Sequence, residues 1–323
     1  MSKQKVIATR RWPEHVEKVL AEKYDLTLND DDHPMSTEEL QDALRNYDAV
    51  LPTVTDPINA EVLGISDIRA KILGNFGVGF NHIDLDAAKK AGLVVTNTPE
   101  VLTDCTADIA LALILTAARR TGEGERHLRA GDWSGWRPTH MLGMQVTGKT
   151  LGCIGFGRIA QATAARAHFG FGMKIIFSDP YPPPASVMNR LGATRCDTME
   201  EVLEQSDFVS LHCPGGESTY HLMNAERLAK MKSTAYLINT ARGDVVDNEA
   251  LIDALKNNKI AGAGLDVFEG EPNLNPGFLG LENAVLLPHL GSASIETRIA
   301  MGMRVVENID AFFGGDVPRD QLV

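Results

Sequence analysis

Short, nearly continuous apolar runs alternate along this chain with stretches in which apolar residues recur every three or four positions. The runs cover residues 5–9, 49–54, 71–74 and 93–96, and later 150–154, 173–177, 207–213, 235–240, 261–267 and 285–288. Each is too short for a helix and too uniformly apolar for a half-solvated strand, so each predicts a strand buried on both faces. Helical patterns fill the intervals. One passes through Val16, Val19 and Leu20, and two more fall at 60–63 and 85–90. Ser36 and Glu39 form a capping-box signature ahead of Leu40, Ala43 and Leu44. Thr198 and Glu201 start another helix, 249–256 is a further one, and the last, 294–313, is predicted to bury Ile295, Ile299, Met303, Val306 and Phe313. Residues 102–127 read as one long helix with an apolar centre. A tract containing Trp133 and Trp136 follows, and both rings read as buried at an interface or hinge. Strands alternating with helices in this way predict α/β architecture with parallel, doubly wound sheets. The first such unit ends near Thr98-Pro99.

The run at 150–154 leads into Gly155-Phe156-Gly157-Arg158-Ile159-Ala160, then a helical pattern, then a second run ending at Asp179, nineteen residues beyond Ala160. Gly155 permits a tight turn, Gly157 lets backbone approach a pyrophosphate, and a small residue at Ala160 lets helix and strand pack closely. The pyrophosphate would sit on the unsatisfied N–H groups at the helix start. Asp179 is placed to accept hydrogen bonds from ribose hydroxyls and to repel a 2′-phosphate. No Lys or Arg follows it before Arg190, so NAD is expected rather than NADP.

Composition narrows the picture. The chain has 323 residues, 44% hydrophobic and 23% charged, which allows two domains with separate cores. Its net charge of −12 argues against a nucleic-acid or anionic-membrane surface, both of which need a basic patch. The four cysteines (Cys105, Cys153, Cys196, Cys213) show no C-x-x-C spacing and lie in or beside apolar segments, as free thiols in a reducing compartment do. The longest apolar stretch, 109–118, is too short to cross a bilayer, and no secretory segment follows Met1. A cytoplasmic protein is expected, with no metal site.

Three stretches beyond the glycine turn carry more than packing. I-N-T-A-R-G places Arg242 just past a strand, L-D-V-F-E-G-E-P places Asp266, Glu269 and Glu271 at or past another, and L-L-P-H-L-G places His289 past a third. Ligands of open α/β sheets bind outside the carboxyl ends of the strands, so a cation, a carboxylate and an imidazole are predicted to converge there.

With N-F-G-V-G-F-N-H-I-D (75–84), N-T-P-E-V-L-T-D-C-T-A-D (97–108) and these stretches in order, the chain resembles the D-2-hydroxyacid dehydrogenases almost end to end. The tract G-D-W-S-G-W-R-P-T-H-M-L-G (131–143) is similar to their glyoxylate/hydroxypyruvate reductase, or glycerate dehydrogenase, branch. The resemblance implies a Rossmann cofactor domain, 100–290, inserted in a discontinuous flavodoxin-like substrate domain, 1–99 with 291–323. Hinges near Pro99 and His289 would close the cleft. It implies NAD(H)-dependent reduction of a small 2-oxo acid to the D-2-hydroxy acid, with His289 as acid/base, Glu271 holding the imidazole, and Arg242 on the substrate carbonyl and carboxylate. The backbone amides of Val78 and Gly79 would take the other carboxylate oxygen. Thr106, Cys213, Pro214, Thr219, Thr240, Ala241, Asp266, His289 and Gly291, together with Gly155, Phe156, Gly157, Arg158, Ile159 and Asp179, would contact the cofactor.

The resemblance further implies a homodimer in which Trp136 reaches the neighbouring subunit's substrate. Segment 102–143, too apolar to be solvated on every side, is expected to supply the interface. His82 and His140 fit no catalytic slot. Other readings stay open: a relative of D-lactate or phosphoglycerate type, or an NAD-sensing interaction protein like the C-terminal-binding-protein corepressors, which can keep the same three residues. The absence of long flanking tails argues against the corepressor reading. The absence of a regulatory domain beyond residue 323 argues against the phosphoglycerate type.

Overall fold

The early apolar runs assemble into one parallel sheet. In the computed structural model, which describes residues 3–323, its strands are β1 (Lys5–Ala8), β2 (Asp25–Leu28), β3 (Ala49–Leu51), β4 (Ile72–Gly74) and β5 (Val94–Thr96). They pair in the order β2-β1-β3-β4-β5, every pair parallel, which is the flavodoxin-like winding. The later runs make a second parallel sheet from β6 (Thr150–Ile154), β7 (Lys174–Ser178), β8 (Ala193–Arg195), β9 (Phe208–Leu211), β10 (Tyr236–Asn239), β11 (Gly262–Leu265) and β12 (Ala284–Leu286). Its order is β12-β11-β10-β9-β6-β7-β8, and chain direction across it reverses between β9 and β6. That reversal is the switch point at which a Rossmann sheet binds dinucleotides.

Each sheet belongs to its own unit. Residues up to Leu102 together with Ser292–Val323 form one, and Thr103–Gly291 forms the other. In the first, Ile7, Val50, Leu73 and Val95 pack beneath Leu40, Leu44 and Val62. In the second, the two sheet faces carry separate apolar clusters. One joins Val209, Leu237 and Leu265 to Leu251 and Leu255, and the other joins Leu151, Ile175 and Phe208 to Leu113, Ile114 and Ala164. Helix Thr37–Asn46 starts as expected: Ser36 Oγ accepts from Glu39 N, and Glu39 returns the bond to Ser36 N. Thr198 likewise caps Met199–Gln205 through Glu201 N.

Four details differ from the sequence expectations. Strands β2 and β8 are edge strands of mixed polarity (D-L-T-L and A-T-R), so no apolar run announces them. The long helix at 102–127 is two, Thr103–Arg119 and Thr121–Arg129, broken where Arg120 takes a left-handed conformation (φ 52°) and pairs with Glu123. The first of them is buried by its own unit, whereas the second buries no residue. It is therefore not the apolar centre of this segment that calls for a partner. The last helix, Ile295–Gly314, turns Met301, Val305, Val306 and Ile309 inward and leaves Ile295 77% exposed. Its rotation is set by polar anchors that an apolar pattern does not register. Buried Asn308 bonds Asn97 O and Asp320, and Arg304 pairs with Asp320 at 3.3 Å. Finally, Trp133 and Trp136 are exposed within the chain, at 55% and 82%.

Candidate active site

The turn between β6 and the following helix, Arg158–Phe171, is built to admit backbone and exclude side chains. Gly155 has φ +82°, and a Cβ there would lie 2.9 Å from backbone atoms of His212 and Cys213. Gly157 is the helix N-cap; no side chain caps it, and nothing lies within 4 Å of where its Cβ would be. The helix thus starts with no side chain capping it, the kind of end that accommodates an anion. Ala160 is fully buried against the sheet. Phe156 offers only its backbone to this turn, because its ring is 1% exposed and stacked on Phe177 at 4.0 Å. Its N–H donates to Asp179 Oδ2 at 2.5 Å, and Tyr181 N–H donates to Asp179 Oδ1 at 2.6 Å. The carboxylate is thereby fixed at the end of β7. An open, uncapped helix end beside a held acid fits a dinucleotide with free ribose hydroxyls. One cation escaped the sequence reading: Arg195, on the edge strand β8, donates to Asp179 O at 3.3 Å.

The ends of β10, β11 and β12 bring the chemistry together. Arg242 follows β10, and its turn is held by Asn239, whose Oδ1 accepts from Ala241 N and whose Nδ2 donates to Arg242 O. Burial lowers the guanidinium pKa from its ordinary value, while Glu271 and Asp244 act to raise it. His289 follows β12 with φ 55°. Such a conformation is uncommon for a non-glycine residue and persists where its surroundings determine it. Here the determinant is Asp266 at the end of β11, which is 1% exposed. Its main-chain O accepts from His289 N, and its carboxylate oxygens accept from Leu290 N at 2.6 Å and Gly291 N at 2.7 Å. Burial raises the Asp266 carboxyl above its ordinary value against those two bonds.

Glu271 Oε2 lies 2.8 Å from His289 Nδ1, and Glu271 Oε1 accepts from Phe268 N at 2.7 Å. Burial opposes ionisation of Glu271, but the bond to His289, with Phe268 N–H and Arg242, holds its carboxyl below the usual range. With Nδ1 committed to Glu271, Nε2 is the imidazole atom left for proton exchange.

The remaining candidates fall around these. Thr106 is buried, within 3.5 Å of where a Cβ on Gly291 would lie, as is Asp266, so Thr106, Asp266 and Gly291 form one cluster. Cys213 and Pro214 follow β9 beside Gly155, and the Thr219 hydroxyl turns inward to Pro214 O at 2.7 Å, closing that loop. Thr240 Oγ1 is buried with no hydrogen-bond partner among the described residues, a donor waiting beside Ala241.

In the other unit, Val78 and Gly79 lie past β4 in a turn whose carbonyls are bonded from behind. Asn75 Nδ2 donates to Gly77 O and Gly79 O, each at 3.0 Å, Asn97 Nδ2 donates to Val78 O at 2.8 Å, and His82 braces Asn75 Oδ1. The N–H groups of Val78 and Gly79 have no hydrogen bond among the described residues. Asn75, Asn97 and Asn239 fall within the quoted motifs but carry no role there; in each case the signal is an asparagine directly at or after an apolar run. No group of His, Cys, Asp and Glu suited to a metal occurs among the described residues, and no described helix is long and apolar enough to cross a membrane.

A dinucleotide cradle at a Rossmann switch point, with an imidazole–carboxylate pair and an arginine at neighbouring strand ends, defines an NAD-linked oxidoreductase. Comparison with known proteins agrees. Residues 111–291 match the family described as D-isomer specific 2-hydroxyacid dehydrogenase, NAD binding domain. Glyoxylate reductase of Thermococcus onnurineus is 45% identical, over 98% of this chain and 95% of that one. Glycerate dehydrogenase of Hyphomicrobium methylovorum is 39% identical, over 98% of each. The structure of an NADPH-dependent glyoxylate/hydroxypyruvate reductase from Sinorhizobium meliloti, in complex with NADP and malonate, superposes with a TM-score of 0.88 at 33% identity, covering 100% of this chain and 97% of that one. The chain belongs to the D-isomer specific 2-hydroxyacid dehydrogenases.

Proposed function

We propose that this dehydrogenase reduces small 2-oxo acids, glyoxylate and hydroxypyruvate foremost, to D-2-hydroxy acids at the expense of NADH. The observation that carries the chemistry is the 2.8 Å bond from Glu271 to His289 Nδ1, which leaves Nε2 to deliver a proton to the carbonyl oxygen. NADH, when bound, supplies the hydride. Arg242 polarises the carbonyl and pairs with the substrate carboxylate, for which a guanidinium fork suits. In the other unit, the amides of Val78 and Gly79, which have no hydrogen bond among the described residues, suit a carboxylate oxygen. Thr106, Asp266 and Gly291, with Thr240, Ala241 and the Cys213–Thr219 loop, border the nicotinamide half of the cofactor, and Gly155–Ile159 and Asp179 hold the rest. NADH-dependent turnover over a panel of glyoxylate, hydroxypyruvate, pyruvate and bulkier 2-oxo acids tests the assignment. No oxidation with any of them would favour the NAD-sensing interaction protein instead.

The cofactor preference rests on Asp179. NAD(H) is expected to be favoured over NADP(H) by at least about tenfold, the size of one unfavourable charge contact of roughly 1.4 kcal/mol. Asp179→Ser is expected to narrow that gap, since Arg195 remains at the same strand end to meet a 2′-phosphate. Equal kcat/KM with both cofactors in the unmodified enzyme would refute the preference.

Leu128, Trp133, Trp136 and Leu142 are all more than half exposed and lie in one stretch, on and after a helix that buries nothing. Apolar exposure on that scale marks an interaction surface. The proposed occupant is a second copy of this chain, with Trp136 closing the partner's pocket around a small polar substituent. Trp136→Ala is expected to leave a dimer that accepts larger 2-oxo acids. Monomers of unchanged selectivity, measured by sedimentation and the same substrate panel, would reduce Trp136 to interface packing. Four free cysteines support the reading of a protein kept in a reducing compartment, the cytoplasm.

A further inference from the structure

The loop 268–271 carries two acids, and the chemistry above uses only Glu271. Glu269 is held by a different segment. Tyr220 Oη donates to Glu269 Oε1 at 3.0 Å, and His221 Nε2 lies 3.1 Å from both Glu269 oxygens. The Tyr220 and His221 rings are stacked, with centroids 3.9 Å apart and planes 14° off parallel. His221 adopts φ 47°, fixed by its N–H donating to Asp244 O at 2.8 Å, and Asp247 Oδ2 lies 4.0 Å from its Nδ1. A left-handed backbone, a ring stack and three contacts thus converge on one carboxylate.

On its other side the same loop rests on Gly243, the residue after Arg242. A Cβ there would lie 1.8 Å from Phe268 C and 2.2 Å from Glu269 N, so the loop backbone lies directly on the arginine's turn. Between the two holds, Phe268 N–H donates to Glu271 Oε1.

We propose that Tyr220 and His221 form a latch on Glu269 that presses loop 268–271 onto Gly243 and so fixes Glu271 against His289. Tyr220, His221 and Glu269 are then positioning residues for the proton transfer. The inference rests on the dehydrogenase reading and deepens it: one histidine–acid pair holds the acid of another. The latch pair is about a third exposed, so it adds little to stability, whereas a small displacement of a catalytic group costs up to about a hundredfold in rate. Its loss should therefore appear in turnover and not in melting.

The test uses glyoxylate and NADH with the full-length protein. Glu269→Ala is expected to lower kcat about tenfold, with KM, NADH affinity and Tm nearly unchanged. Glu269→Gln, which keeps a carbonyl acceptor for Tyr220, is expected to recover most of that loss. Tyr220→Phe, at a side chain 57% exposed, removes one bond without disturbing packing and should lower kcat about threefold. In a Glu271→Gln background, removing Glu269 should cost less than about twofold, because the two act as a unit. Wild-type kcat in both Glu269→Ala and Tyr220→Phe, or an equal loss with and without the Glu271 carboxylate, overturns the latch. Failure of the unmodified enzyme to oxidise NADH with any 2-oxo acid overturns the dehydrogenase reading itself, and the latch with it.

Discussion

Replacing His289 by alanine is expected to lower kcat for 2-oxo acid reduction by about a hundredfold or more, the usual scale for a positioned general acid. The geometry makes the expectation specific. Glu271 occupies Nδ1 at 2.8 Å, and Asp266 fixes the backbone of His289 and of the two residues after it, so Nε2 is the ring nitrogen left for a proton. Nothing in that arrangement touches the glycine turn or Asp179. Affinity for NADH, followed by quenching of nicotinamide fluorescence, should therefore stay within about twofold while turnover collapses. Near-wild-type kcat in His289→Ala would transfer the proton donor to another group.

Arg242→Ala should do damage of a different kind. The guanidinium is half-buried, its turn is braced by Asn239, and it faces the negative field of Glu271 and Asp244. In the role proposed above, removing it would delete two charge-assisted hydrogen bonds to the substrate, together worth roughly 4 kcal/mol, so kcat/KM should fall about a thousandfold. Because one bond is to the ground-state carboxylate and the other to the carbonyl where charge develops, KM should rise and kcat should fall together. Arg242→Lys should recover charge without the planar fork and only part of the rate. A variant that changes KM alone would confine Arg242 to carboxylate binding.

Much of the architecture is legible in the sequence because buried parallel strands are apolar from end to end. Residues 150–154 and 235–240 announce β6 and β10 without help from any neighbour. Helix 37–46 is announced twice, by its stripe and by Ser36 with Glu39. The elements that stayed hidden are those whose cause is tertiary. Strands β2 and β8 are polar because edges meet solvent, and the break at Arg120 is held by a side-chain pair with Glu123. In the site, Gly155, Asp179, Arg242, Glu271 and His289 stand out because chemistry demands those residue types at strand ends. Asn75, Asn97 and Asn239 do not, since an amide that bonds a nearby carbonyl leaves no periodic trace. Arg195 is brought to Asp179 only by the pairing of β8 with β7, which no local pattern encodes.

The turn past β4 has a consequence for how such a protein is dissected by mutagenesis. The groups proposed to meet the substrate carboxylate are the main-chain amides of Val78 and Gly79, and the carbonyls of this turn are tied to Asn75 and Asn97. Alanine scanning keeps every one of those amides, so a scan through this turn would pass Val78 as dispensable. Asn75 is the position where a scan would register the turn, because it alone ties down two of the carbonyls. An amide-to-ester exchange at Gly79 removes the N–H that alanine leaves in place, and comparison with Asn97→Ala separates that loss from the weaker acceptor it makes of the Val78 carbonyl.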